Sequence, residues 1–213
     1  MSARLLIEGK AEAPLLLSAL HLLVGLFGKT DFKGGLQNLE HLRTFLKDNG
    51  TLLEEDCKCV DPFSEDKKKS KVKPKKPTPI LCTHKCQSKQ SFKVQDLIIL
   101  SKVDEKELIL LVNEGPVAVV IDFYKEFENF EGDGFYDGPP KGSKRIDKHM
   151  LLITGYATYK KQHYWKCQNS AGRQWGDNGN IKILRQVSRG KGQPSLITGI
   201  VYPVLLNREA YNP

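Results

Sequence analysis

This chain of 213 residues has no apolar run long enough to cross a bilayer as a helix. The uncharged stretch from Pro14 to Gly28, "PLLLSALHLLVGLFG", falls short of the roughly 20 residues such a helix needs. It also makes a poor signal peptide: Glu8 and Glu12 precede it, and the "KTDFKGG" that follows offers no small-residue cleavage site. A buried helix or helix end is expected there instead. An even cysteine count is lacking too: the five cysteines, 57, 59, 82, 86 and 167, leave the redox compartment undecided. A basic face spread over the fold is also missing. The formal charge is +8, but Lys67, Lys68, Lys69, Lys71, Lys73, Lys75 and Lys76 account for seven of those charges and leave +1 for the rest. That pattern describes one solvated basic segment.

What remains is an ordinary globular composition, 39% hydrophobic and 27% charged, sufficient for a packed core. Leu36, Leu39, Leu42 and Leu46 recur at helical spacing and predict a helix over 36–46, ended by Asp48-Asn49-Gly50. Asn49-Gly50-Thr51 is also a glycosylation triplet, which has meaning if the chain is secreted. Residues 60–92 are rich in Lys, Pro and Ser and read as a long exposed insertion. After "KVQDLIIL", Asp104 is placed to cap a Leu-rich helix. Strand signals follow at 116–123, 149–157, 163–169, 180–187 and 199–205. Helices precede strands, so the expected class is α+β with segregated halves: a helical part over 1–59, the insertion over 60–92, and a β-rich part over 93–213.

The strands "HMLLITGYA" and "HYWKCQN" flank "TYKKQ", a plausible hairpin connection, which would set His149 at the start of one strand beside Asn169 at the end of the other. A carboxamide oxygen there can accept from one imidazole nitrogen and leave the other for a thiol. The plain alternative is a surface histidine and a turn-starting asparagine. Cys57, Cys59, Cys82, His84 and Cys86 form C-x-C and C-x-H-x-C, enough donors for zinc, but the spacing matches no known finger or ribbon. Disulfides are as open as zinc, free thiols are favoured over either, and no metal or other cofactor is expected.

Taken with their order, "EGPVAVVIDF", "KHMLLITGY" and "YWKCQNSAGRQWGDNGNIKI" resemble the Gly-Pro-Val strand, the catalytic-His strand and the Asn segment of the papain-like cysteine proteases. "KGGLQNLEHLRTFLKDNGTLLEE" resembles the family's Gly-Gly helix segment, and "SARLLIEG" the residues after its Cys-Trp-Ala-Phe. The resemblance implies a papain-like α+β fold. It implies that His149 is the general base, that Asn169 orients it, and that Gly34 and Gly35 form a backbone wall for an extended peptide. It places Trp175 on the leaving-group side. A peptide or protein ligand and a monomer are implied; the family is typically lysosomal, vacuolar or secreted.

The departures from the family pattern concern chemistry. If Ser2 follows the family's Cys-Trp-Ala-Phe, the nucleophilic cysteine and the upstream Gln that helps bind the oxyanion fall before Met1. Ala171 stands where a Trp is expected to cover the His–Asn pair, so that bond should be wetter and weaker. Phe32 replaces the cysteine before Gly-Gly, and the loss of family disulfides is expected to cost a few kcal/mol each. Cys167 is expected to be a small core residue rather than a substitute nucleophile. Three functions therefore stay open: a cysteine peptidase inactive as written, a non-catalytic peptide-binding relative, and a basic nuclear or nucleic-acid-associated protein acting through the tract Lys67 to Lys76.

Overall fold

The computed structural model of the chain describes residues 1–31, 35–57, 90–102 and 104–211. Gly34, Cys59, Cys82, His84, Cys86 and the lysine tract lie outside the described residues. Two compact units emerge: residues 1–97 with 203–213, and residues 98–202. The sequence reading set its last boundary at 93 and kept the C-terminal tail with the sheet; in the structure that tail falls with the first unit. Tyr211 holds it there, since its hydroxyl donates to the Lys93 carbonyl (2.7 Å) and accepts from Leu206 N–H (2.9 Å).

Among the described residues the first unit contains three α-helices, α1 (Ser2–Ile7), α2 (Ala19–Gly25) and α3 (Leu39–Asp48). The run 14–28, where a buried helix or helix end is expected, does hold helix α2, but the burial is not met. Ser18 caps α2 by accepting from His21 N–H at 3.1 Å, no α2 residue is buried, and Leu16 is largely exposed. An apolar run bends away from helix once a serine offers its hydroxyl to the backbone. The same competition moves the start of α3 from 36 to 39: the Asn38 side chain accepts from Glu40 N–H at 2.9 Å, so Leu36 precedes the helix. Gly50, with φ of 72°, turns the chain out of α3. A Cβ at Gly50 would come within 2.8 Å of the Phe92 carbonyl, so glycine is required by space as well as by φ. Thr51 and Phe92 then exchange both backbone hydrogen bonds (3.0 and 2.7 Å), and Arg43 grips Asp96 through two 2.7 Å contacts.

A seven-stranded sheet runs in the order β1 (Val94–Leu100), β7 (Ile197–Leu205), β2 (Val117–Phe123), β4 (Asp147–Tyr159), β5 (Gln162–Gln168), β6 (Asn180–Leu184), β3 (Phe135–Tyr136). Its β2–β4, β4–β5 and β5–β6 pairings are antiparallel. The α+β expectation is met. Helix α4 (Glu105–Glu114) starts at the expected cap, where the Asp104 carboxylate accepts from Lys106 N–H at 2.6 Å. The period-2 pattern of "VAVVIDF" buries Val117, Val119 and Ile121. Beneath them lie Leu151, Ile153, Trp165, Cys167, Ile181, Ile183 and, from the short helix α5 (Lys125–Glu128), Phe127. The last strands shift slightly from expectation, because β6 ends at Leu184 where a turn over Gln186–Ser188 takes over.

Candidate active site

The β4–β5 hairpin fixes the site. Tyr159 pairs with Gln162, so the turn is only Lys160-Lys161, both with positive φ (47° and 66°), tighter than the "TYKKQ" loop expected. From that turn the register runs to Leu152 opposite Gln168, with one irregularity between Ile153 and Gly155. His149 shares the core-facing parity of Leu151 and Ile153, and Asn169 that of Trp165 and Cys167. Both side chains therefore leave the same face of the sheet, at the end where the core stops. Each is half-buried.

The imidazole Nε2 and the Asn169 Oδ1 are 2.7 Å apart. Ser170 N–H also donates to that Oδ1, at 2.8 Å, which identifies the atom as the oxygen of the carboxamide. An oxygen of this kind only accepts, so Nε2 carries the proton and Nδ1 is left with its lone pair. The backbone of Asn169 is fixed as well, its N–H donating to the Gly179 carbonyl at 2.8 Å.

Ala171 is exposed and gives this pair no cover. Aromatic contact comes instead from Phe123 and Phe127, whose ring centroids lie 5.2 and 5.8 Å from that of His149. The sequence reading did not single these two out. Their signal was register: Phe123 pairs with Asp147, two residues before His149 and on the same face. Trp175 packs 5.1 Å from Phe127, and its indole N–H donates to the Glu128 carbonyl at 3.0 Å. Phe127 thus stands between the histidine and the tryptophan that the sequence reading linked to one site.

Cys167 is the one cysteine in this unit. It is completely covered, opposite Ile153 and Ile181, and burial pushes its thiol far above the usual range. No thiolate forms there at neutral pH. Cys57, in the first unit, is also buried. Gly35 belongs to the first unit too, where its N–H donates to the Asp31 carboxylate (2.8 Å) and its carbonyl accepts from Asp31 N–H (2.8 Å). Among the described residues no three His, Cys, Asp or Glu side chains gather as metal ligands, and no helix is long and apolar enough to cross a membrane.

Cathepsin L1 of Drosophila melanogaster is 35% identical over 104 residues, covering 48% of this chain and 27% of that protein. Fruit bromelain of Ananas comosus is 30% identical over 103 residues, covering 48% of this chain and 28% of the bromelain. The matched stretch thus spans under a third of either relative. In fold, the chain superposes on proCathepsin B S9 from Trypanosoma congolense with a TM-score of 0.70 at 17% identity, over 96% of this chain and 65% of that one. It superposes on the bromelain protease of Ananas comosus, solved with the E64 inhibitor, with a TM-score of 0.66 at 20% identity, over 96% and 85%. The family model of the papain cysteine proteases matches residues 1–203, and the chain belongs to that family.

Proposed function

We propose that this chain supplies the base-and-orienter half of a cysteine-type peptidase site, and that residues 1–213 alone bind peptides without cleaving them. The observation that carries the reading is the 2.7 Å contact between His149 Nε2 and Asn169 Oδ1, with Nδ1 left as the basic nitrogen. In the chemistry this serves, a thiol presented to Nδ1 gives up its proton, and the resulting imidazolium keeps its Nε2–H on the carboxamide. The thiolate then attacks the peptide carbonyl, and the imidazolium returns the proton to the departing amine. Asn169 works by holding the ring in one tautomer and one direction.

The reading of inactivity rests on the thiols. Among the described residues, Cys167 is sealed in the core beside the site and Cys57 is buried in the other unit, so neither sulfur is open to a peptide. Trp175 and Gly35 are proposed peptide contacts. Gly35 brings a cost to that role, because its N–H must leave Asp31 before it can serve a ligand.

Purified 213-residue chain is incubated with an epoxide inhibitor of the E-64 kind and, separately, with fluorogenic dipeptide amides. No covalent label and no turnover are expected, while a peptide ligand binds with micromolar or weaker affinity. Labelling that disappears in His149→Ala would overturn the inactivity and uphold the peptidase reading. Failure to bind any peptide, with no label, would overturn the peptide-binding reading.

A further inference from the structure

We infer that Asn49 is an acceptor for an N-linked oligosaccharide, added while the first unit is still unfolded. Asn49-Gly50-Thr51 is the sole Asn-x-Ser/Thr triplet in the sequence. Its three residues meet opposite fates on folding. Asn49 sits exposed just after the last turn of α3, where a bulky polar group stays in solvent and displaces no packing. Thr51 is 2% exposed, and its hydroxyl donates to the Ser18 carbonyl at 3.0 Å. Its backbone is committed as well, through the paired bonds to Phe92. The acceptor nitrogen is thus open in the finished fold, while the hydroxyl that completes the recognition triplet is sealed. A transferase can read the three residues together only before Thr51 docks on Ser18 and Phe92.

The transfer balances without any oxidant or reductant. The co-reactant is an oligosaccharide linked through its C1 to a lipid diphosphate. The C1–O bond to the diphosphate breaks, a C1–N bond forms to Asn49 Nδ2, and the proton displaced from Nδ2 leaves with the lipid diphosphate.

The test places the full 213-residue chain behind a cleavable secretory signal and translates it with endoplasmic-reticulum microsomes. In the protease-protected fraction we expect one glycan-sized mobility step, reversed by peptide N-glycosidase, absent in Asn49→Gln, kept in Thr51→Ser and lost in Thr51→Val. No step in the protected chain, or a step that survives Asn49→Gln, would overturn the acceptor assignment. Folded, purified chain offered the transferase and its lipid-linked donor should stay unmodified; modification there at the rate of the nascent chain would overturn the order of events.

Discussion

At the scale of single residues, the site turns on which atom faces which. Replacing Asn169 with Ala removes the acceptor of the Nε2 proton, so His149 should populate both tautomers; nitrogen-15 chemical shifts of the ring report this directly, with about 1 kcal/mol of stability lost. The same kind of reasoning applies to Asp96. Hydrogen bonding to Arg43 holds its carboxyl well below the usual carboxylate range. A depressed value means that the stabilisation is fully present above the unfolded value, about 3.9, and is lost as the pH falls toward the folded one. Asp96→Asn should therefore flatten the loss of stability below about pH 4, measured by urea midpoints across that range. The proximity of His149 and Asn169 follows from the hairpin, but the register sets Asn169 two residues out of line with His149, a diagonal contact on one face that simple equidistance from the turn does not give. Phe123 and Phe127 were not, because an aromatic after a strand says nothing of its neighbours until the register is known. The Asp31–Gly35 pairing was equally hidden, since a glycine pair shows where backbone is bare and not what has already claimed it.

At the scale of elements, local signals worked where one residue type had one job. Asp104 ahead of a Leu-rich run capped α4 as expected, and the alternation in β2 buried the residues it should. They failed where side chains compete with the backbone. Ser18 and Asn38 each took a hydrogen bond that the hydropathy pattern assigned to a longer helix. The β4–β5 turn carries a visible cost of this kind. Lys160 and Lys161 both adopt positive φ in a connection that favours Asn-Gly. Lys160→Asn with Lys161→Gly should raise the stability of the sheet by about 1 kcal/mol, seen as a rise of a few degrees in the thermal midpoint, with the His149–Asn169 shifts unchanged.

At the scale of the molecule, the class and family were readable because the ordered motifs from Gly115 to Ile183 follow one strand pattern, and physical packing holds that pattern in register. The grouping of the tail with the first unit was not readable, since it depends on Tyr211 reaching back to stack on Phe92 and bond the Lys93 carbonyl. The paired bonds of Thr51 with Phe92 and the clamp of Arg43 on Asp96 have a further consequence for how this chain can vary. They hold residue 51 beside residue 92 and residue 43 beside residue 96, each pair drawn from opposite sides of residues 58–89 in the sequence. A one-residue insertion between Gly50 and Thr51 would slip the clasp and forfeit both of its backbone bonds, so drift in this unit has to spare that register.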